Sequence, residues 1–126
     1  MDIQQQIEYW RQTSEDDLEA AEALFNYRKF RQALFFAHLS MEKILKSYVV
    51  KNTQAVPPKI HDLLRLMKLA DLHLSDLQQA TLARIQRYCQ EGRYPNLQLL
   101  LPTEDVAKRV LQEARSIYSW LANQLK

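Results

Sequence analysis

A chain of 126 residues has room for one hydrophobic core and not for two, so a single domain over residues 1–126 is expected. Apolar residues at 47% and charged residues at 25% exclude a disordered chain. One Gly and four Pro exclude most β-rich architectures, and with them the glycine-rich phosphate loops of the Walker type and of dinucleotide-binding folds. The net charge of +2 is polarised: residues 1–25 carry −6, residues 26–51 carry +5 and the remainder +3.

Ile3, Ile7, Trp10, Ser14, Leu18, Ala21 and Leu24/Phe25 recur at spacings of three and four, the apolar stripe of a long first helix. Phe30, Leu34, Ala37, Met41, Ile44/Leu45 and Tyr48 repeat the stripe and predict a second long helix from Arg28 to Lys51. Pro57-Pro58 breaks the pattern, and a shorter third helix is predicted over Lys59–Ala70. Ser75 with Gln78 has the form of a capping box and opens a fourth helix, expected to stop at Gly92. Pro102-Thr103, followed by Glu104 and Asp105, announces a last helix running through Val106, Val110, Ile117 and Leu121. These elements make a compact bundle of four or five helices.

A lone cysteine, Cys89, leaves no internal disulfide, and the opening residues lack the basic start and apolar stretch of a secretion signal. The longest apolar run, Ala33–Ala37, falls far short of the roughly 18 residues of a membrane helix. A reduced, cytoplasmic protein without a membrane span is expected.

The chemistry on offer is sparse. His38, His61 and His73 fall in three segments with no Glu-x-x-His pair, so no metal centre is expected. Cys89 reads as a small buried hydrophobe. If Gly92 turns the chain left-handed, it presents Arg93, Tyr94 and Asn96 just past a helix end, where a planar guanidinium clamps phosphate or else caps the helix's own carbonyls. On the second helix Arg31, His38, Glu42 and Lys46 share a face, which is either a ligand surface or a solvated or dimer-covered one with a Glu42–Lys46 ion pair. Lys43 and Lys46 add positive charge for an anion. The acidic first and basic second segments equally suit two antiparallel helices whose outer faces attract. His61 reads as a structural residue bonding exposed backbone groups at the start of the third helix. Phe35-Phe36 supplies more apolar surface than one core needs, which predicts a homodimer.

Three blocks, Ala33–Tyr48 (ALFFAHLSMEKILKSY), Pro57–Leu66 (PPKIHDLLRL) and Gly92–Asn96 (GRYPN), resemble the HEPN domain in content and order. The resemblance implies an all-α, up-and-down four-helix bundle with an additional short helix, five helices in total. It also implies a homodimer, often encoded beside a minimal nucleotidyltransferase, in a family with ribonuclease toxins and members proposed to bind nucleotides. The ribonuclease branch uses an Arg followed a few residues later by His. Here Arg93 is followed by no histidine before the last helix. Arg31 and His38 meet the spacing formally, on a helix where the family does not place its catalytic pair.

The expected function is therefore a non-catalytic, homodimeric component that binds a nucleotide, RNA or a nucleotidyltransferase partner in a toxin-antitoxin or defence module, with no cofactor. The alternatives are a metal-independent ribonuclease using Arg93 with a substitute acid or base, and a helical interaction module without a ligand. Arg93, Tyr94, Asn96, Arg31, His38, Lys43 and Lys46 are the candidate binding residues.

Overall fold

The structure, a computed structural model, describes residues 1–93 and 101–125, with residues 90–93 described by backbone alone. It holds five helices and no strand among the described residues: α1 (Ile3–Asn26), α2 (Phe30–Thr53), α3 (Leu63–Leu69), α4 (Asp76–Arg93) and α5 (Glu104–Gln124). The expected all-α architecture of four long helices and one short one is present.

Helix starts follow the side chains that satisfy their orphan N–H groups. Ser75 and Gln78 form the anticipated capping box, and the Thr103 hydroxyl accepts from the Val106 N–H at 3.2 Å. A second capping box, Asp2 with Gln5, opens α1. α3 is shorter than its apolar pattern, because the Asp62 side chain accepts from the Arg65 N–H and fixes the start at Leu63.

Helix ends depart from the glycine rule. α4 runs through Gly92 to Arg93, and Gly92 does not take the left-handed conformation expected of it. A glycine inside a helix costs only about 1 kcal/mol relative to alanine, so it does not by itself end one. The left-handed positions fall instead at Arg28, Gln54 and Asp71. After α1, the Arg28 N–H donates to the Phe25 carbonyl and the Lys29 N–H to that of Leu24; Asp71 and Leu72 repeat the pattern after α3. Both are Schellman closures made without glycine.

α1 and α2 form an antiparallel hairpin, tied in its interior where the Ser14 hydroxyl donates to the Ser40 carbonyl at 2.7 Å. α2 touches all four other helices among the described residues. It therefore has no solvent face along most of its length, and its residues from Ile44 to Val50 are all buried. Leu34, Met41, Ile44, Leu45 and Val49 of α2 make the core with Leu18, Leu63, Leu66, Leu82, Ile85, Val110 and Leu121. A smaller cluster of Ala21, Ala33, Ala37 and Leu111 takes Phe36, so only Phe35 of the aromatic pair stays exposed.

The Tyr48 hydroxyl donates to the Leu121 carbonyl and pins α2 to α5. Burial holds this phenol above its ordinary value of 10.0. Its folded-state pKa exceeds its unfolded one, so the stability it contributes is complete below pH 10.0 and is lost as pH rises through the folded value. Tyr48→Phe is expected to cost about 1 kcal/mol at neutral pH. The wild type should lose thermal stability more steeply than this variant above about pH 10. Parallel alkaline losses in melting curves of the two proteins would show that Tyr48 is not the group responsible.

Candidate functional site

On the polar face of α2, His38, Glu42 and Lys46 are buried. Glu42 and Lys46, four residues apart, pair at 3.0 Å with side chains only 7% and 8% exposed. The Lys46 ammonium also sits over the Trp10 ring of α1, 5.4 Å from its centroid. From the segment leading into α3, His61 brings Nδ1 to within 3.0 and 3.1 Å of the two Glu42 carboxylate oxygens. The buried His38 ring, one turn before Glu42, places Nδ1 4.0 Å from the same carboxylate. Glu42 is thus the hub of a cluster drawn from α1, α2 and the α2–α3 connection. A carboxylate this deep is tolerable only with such partners.

The geometry fixes how His61 is oriented. Nδ1 faces two acceptor oxygens, so its hydrogen donates to Glu42, and Nε2 lies on the opposite edge of a side chain that is 59% exposed. A histidine held by a carboxylate through one nitrogen, with the other accessible, is the arrangement used for proton transfer. His61 bonds a side chain of α2 and not the backbone groups expected for it.

The other sequence candidates separate. Lys43 pairs with Asp17 of α1 at 2.7 Å. Arg31, exposed in the first turn of α2, lies two helical turns before His38 and joins no described ion pair. The side chain of Arg93, and Tyr94 and Asn96 entirely, lie outside the described residues. Of the seven candidates, the structure brings together His38 and Lys46. They meet around Glu42, which the sequence reading treated as a surface acid, and with His61 and Trp10, which it gave structural roles. A buried destination for Glu42 and Lys46 had no signal in charge pattern alone, since i,i+4 pairs of this kind usually line a solvated face.

Two acids of α1 share one cation of α5, while Asp17 pairs with Lys43 of α2 and Glu8 with Arg11 of α1 itself. Arg115 reaches Glu15 at 3.0 Å and also bonds Glu22, while Arg11 bonds Glu8 and donates to the Tyr118 hydroxyl at 3.1 Å. These bonds hold both guanidiniums above the ordinary arginine value and the Glu8 carboxyl below the ordinary carboxylate value. A groove of about 680 Å³ runs between α1 and α5 over these groups. Its charges are already matched to one another. No group of three or more His, Cys, Asp and Glu suited to a metal occurs among the described residues, and no helix there is long and apolar enough to cross a membrane.

The sequence pattern of the HEPN domain matches residues 7–125, nearly the whole chain. The chain belongs to the HEPN domain family. Solved structures agree on the fold of this HEPN domain. TT1696 from Thermus thermophilus superposes with a TM-score of 0.77 at 21% identity, over 93% of this chain and 96% of its own. ST0689, described as an archaeal HEPN homologue, gives 0.67 at 19% identity over 95% and 98%. No curated protein matches the chain.

Proposed function

We propose that this HEPN domain is a non-catalytic, homodimeric binding component that engages a nucleotide, RNA or a minimal nucleotidyltransferase, in a toxin-antitoxin or related defence module. The observation that supports it is the disposition of the histidines. Cleavage of RNA without metal needs one group to take the 2′-hydroxyl proton and another to protonate the leaving oxygen, and histidine suits both because its unperturbed pKa is about 6.5. His38 is buried, His61 is engaged with Glu42, and no histidine follows Arg93 before α5. The exposed Phe35 ring favours the dimer, because pairing two copies covers it.

One observation favours a second reading, a ribonuclease: the exposed His61 ring, held at Nδ1 by a buried carboxylate. The experiment that separates the two is RNA degradation in excess chelator by the wild type, His61→Ala and Arg93→Ala, on protein whose mass by light scattering is near twice 14.9 kDa. No degradation by any of the three is expected. Robust cleavage by the wild type that both variants lose makes the protein a ribonuclease acting through His61 and Arg93, and a mass near that of one chain removes the dimer.

A further inference from the structure

Two large apolar side chains stand in water on neighbouring helices: Leu77, in the first turn of α4, is 82% exposed, and Trp120, near the end of α5, is 43% exposed. Both border a groove of about 660 Å³ between α4 and α5, a volume within the range of small-molecule sites. The direction of the helices sorts what lines it. α5 runs with α2, since Ala37 clusters with Leu111 and Tyr48 bonds Leu121. α3 also runs with α2, because His61 just before it bonds Glu42 and Leu69 at its end accepts from Asn52. α4 turns back along α3, its Gln86 accepting from the Leu63 N–H. α4 and α5 are therefore antiparallel, and the Thr81 hydroxyl, donating to Glu113 at 2.6 Å, fixes their register. Towards one end of the groove from that bond lie Leu77, Ile117 and Trp120; towards the other lie Arg84 and Arg109. Glu113 is engaged from α4, by Thr81 and by the Arg84 guanidinium at 3.7 Å. Arg109, exposed, makes no ion pair among the described residues.

We infer that this groove binds a small monoanionic amphiphile, a carboxylate with an aliphatic or aromatic body. The body lies against Leu77, Ile117 and Trp120, and the carboxylate accepts from Arg109. Three features select this ligand. An apolar body removes the Leu77 and Trp120 side chains from water. The planar guanidinium of Arg109 matches a carboxylate in bidentate geometry. With Arg84 set against Glu113, the groove offers one unit of positive charge, which suits a monoanion, while Glu113 in its middle repels the several charges of a nucleotide's phosphates. Trp120 and Arg109 stand about 16 Å apart along the axis of α5. Side-chain reach at both ends shortens that span to the length of a medium-chain acid. No residue of this groove belongs to the Glu42 cluster, and the inference goes beyond the proposed function without depending on it.

The test is calorimetric titration of the intact chain with decanoate and with a naphthalene carboxylate, both below micelle formation. Saturable binding at one site per chain is expected for at least one of the two acids, and their ranking tells an aliphatic body from an aromatic one. Arg109→Gln should weaken it at least about 10-fold, the loss of a hydrogen bond between charged groups. Trp120→Ala should weaken it at least about 3-fold. Both positions are exposed, so the two variants should melt with the wild type, which separates lost binding from lost folding. Decanol, with the same body and no charge, should bind at least about 10-fold more weakly than decanoate. Lys108→Gln removes a neighbouring exposed cation that does not line the groove and should change affinity less than about 3-fold. ATP should not displace the acid. No saturable binding of either acid, binding that Arg109→Gln retains, an equal loss in Lys108→Gln, or decanol binding as well as decanoate overturns the assignment and leaves the proposed function standing. Displacement by ATP overturns the monoanionic ligand class and places a nucleotide in the groove instead.

Discussion

Glu42→Ala is expected to destabilise the protein by about 3–5 kcal/mol, the cost of leaving a buried charge without its partner. The loss does not come from the Glu42 contacts alone. Lys46 lies in the interior with its ammonium between the carboxylate and the Trp10 ring, and without Glu42 it has no described anion to replace it. Domains of this size have about 5–15 kcal/mol in total, so the variant should sit near the edge of folding. Replacing both partners, as Glu42→Met/Lys46→Met, removes both desolvation penalties and should recover most of the stability. Urea unfolding of the wild type, the two single variants and the double variant gives the coupling between the residues. A loss below about 1 kcal/mol in Glu42→Ala would mean that water reaches the cluster and the pair behaves as a surface one.

Leu18→Ala should cost about 3–5 kcal/mol, because it opens a cavity where α1 meets the core. α1 is 24 residues long but buries only Ile7, Ser14, Leu18 and Ala21, and Leu18 is its one residue in the main core cluster. Its other apolar ties are smaller, Ala21 in the second cluster with Leu24 and Phe25 only partly buried, and the rest are polar: Ser14 to Ser40, Asp17 to Lys43, Arg11 to Tyr118, and Glu15 and Glu22 to Arg115. The ion pairs among these are partly exposed and contribute little each, and the buried Ser14–Ser40 bond adds about 1 kcal/mol, so the hairpin does not compensate for the missing side chain. Leu77→Ala, at a position 82% exposed, should stay within about 0.5 kcal/mol of the wild type. The comparison is read from thermal melts of the two variants. Equal effects would show that α1 does not depend on Leu18.

The helices themselves were legible because their signals are local. A stripe at spacings of three and four, a Ser-x-x-Gln box at Ser75 and a Thr-Glu-Asp start at Thr103 each act within one or two turns. The family, too, could be read from three short blocks in order, and the pattern match over residues 7–125 bears that out. Helix ends were read less well. Arg28 and Asp71 adopt left-handed conformations that sequence assigns to glycine, and only the Schellman bonds following α1 and α3 show why they do so.

What only the tertiary structure decided was the environment of each polar group. The sequence by itself determined an all-helical chain with an acidic first helix and a basic second one. It also placed Glu42 and Lys46 one turn apart. It did not determine that α2 would be wrapped by all four other helices, turning that pair from a surface feature into a buried hub that collects His61 from another segment. Nor did it show that Lys43 would be spent on Asp17. Helix periodicity is set by neighbours three and four residues away, whereas desolvation and charge pairing depend on residues tens of positions apart, and these come together only when the bundle closes.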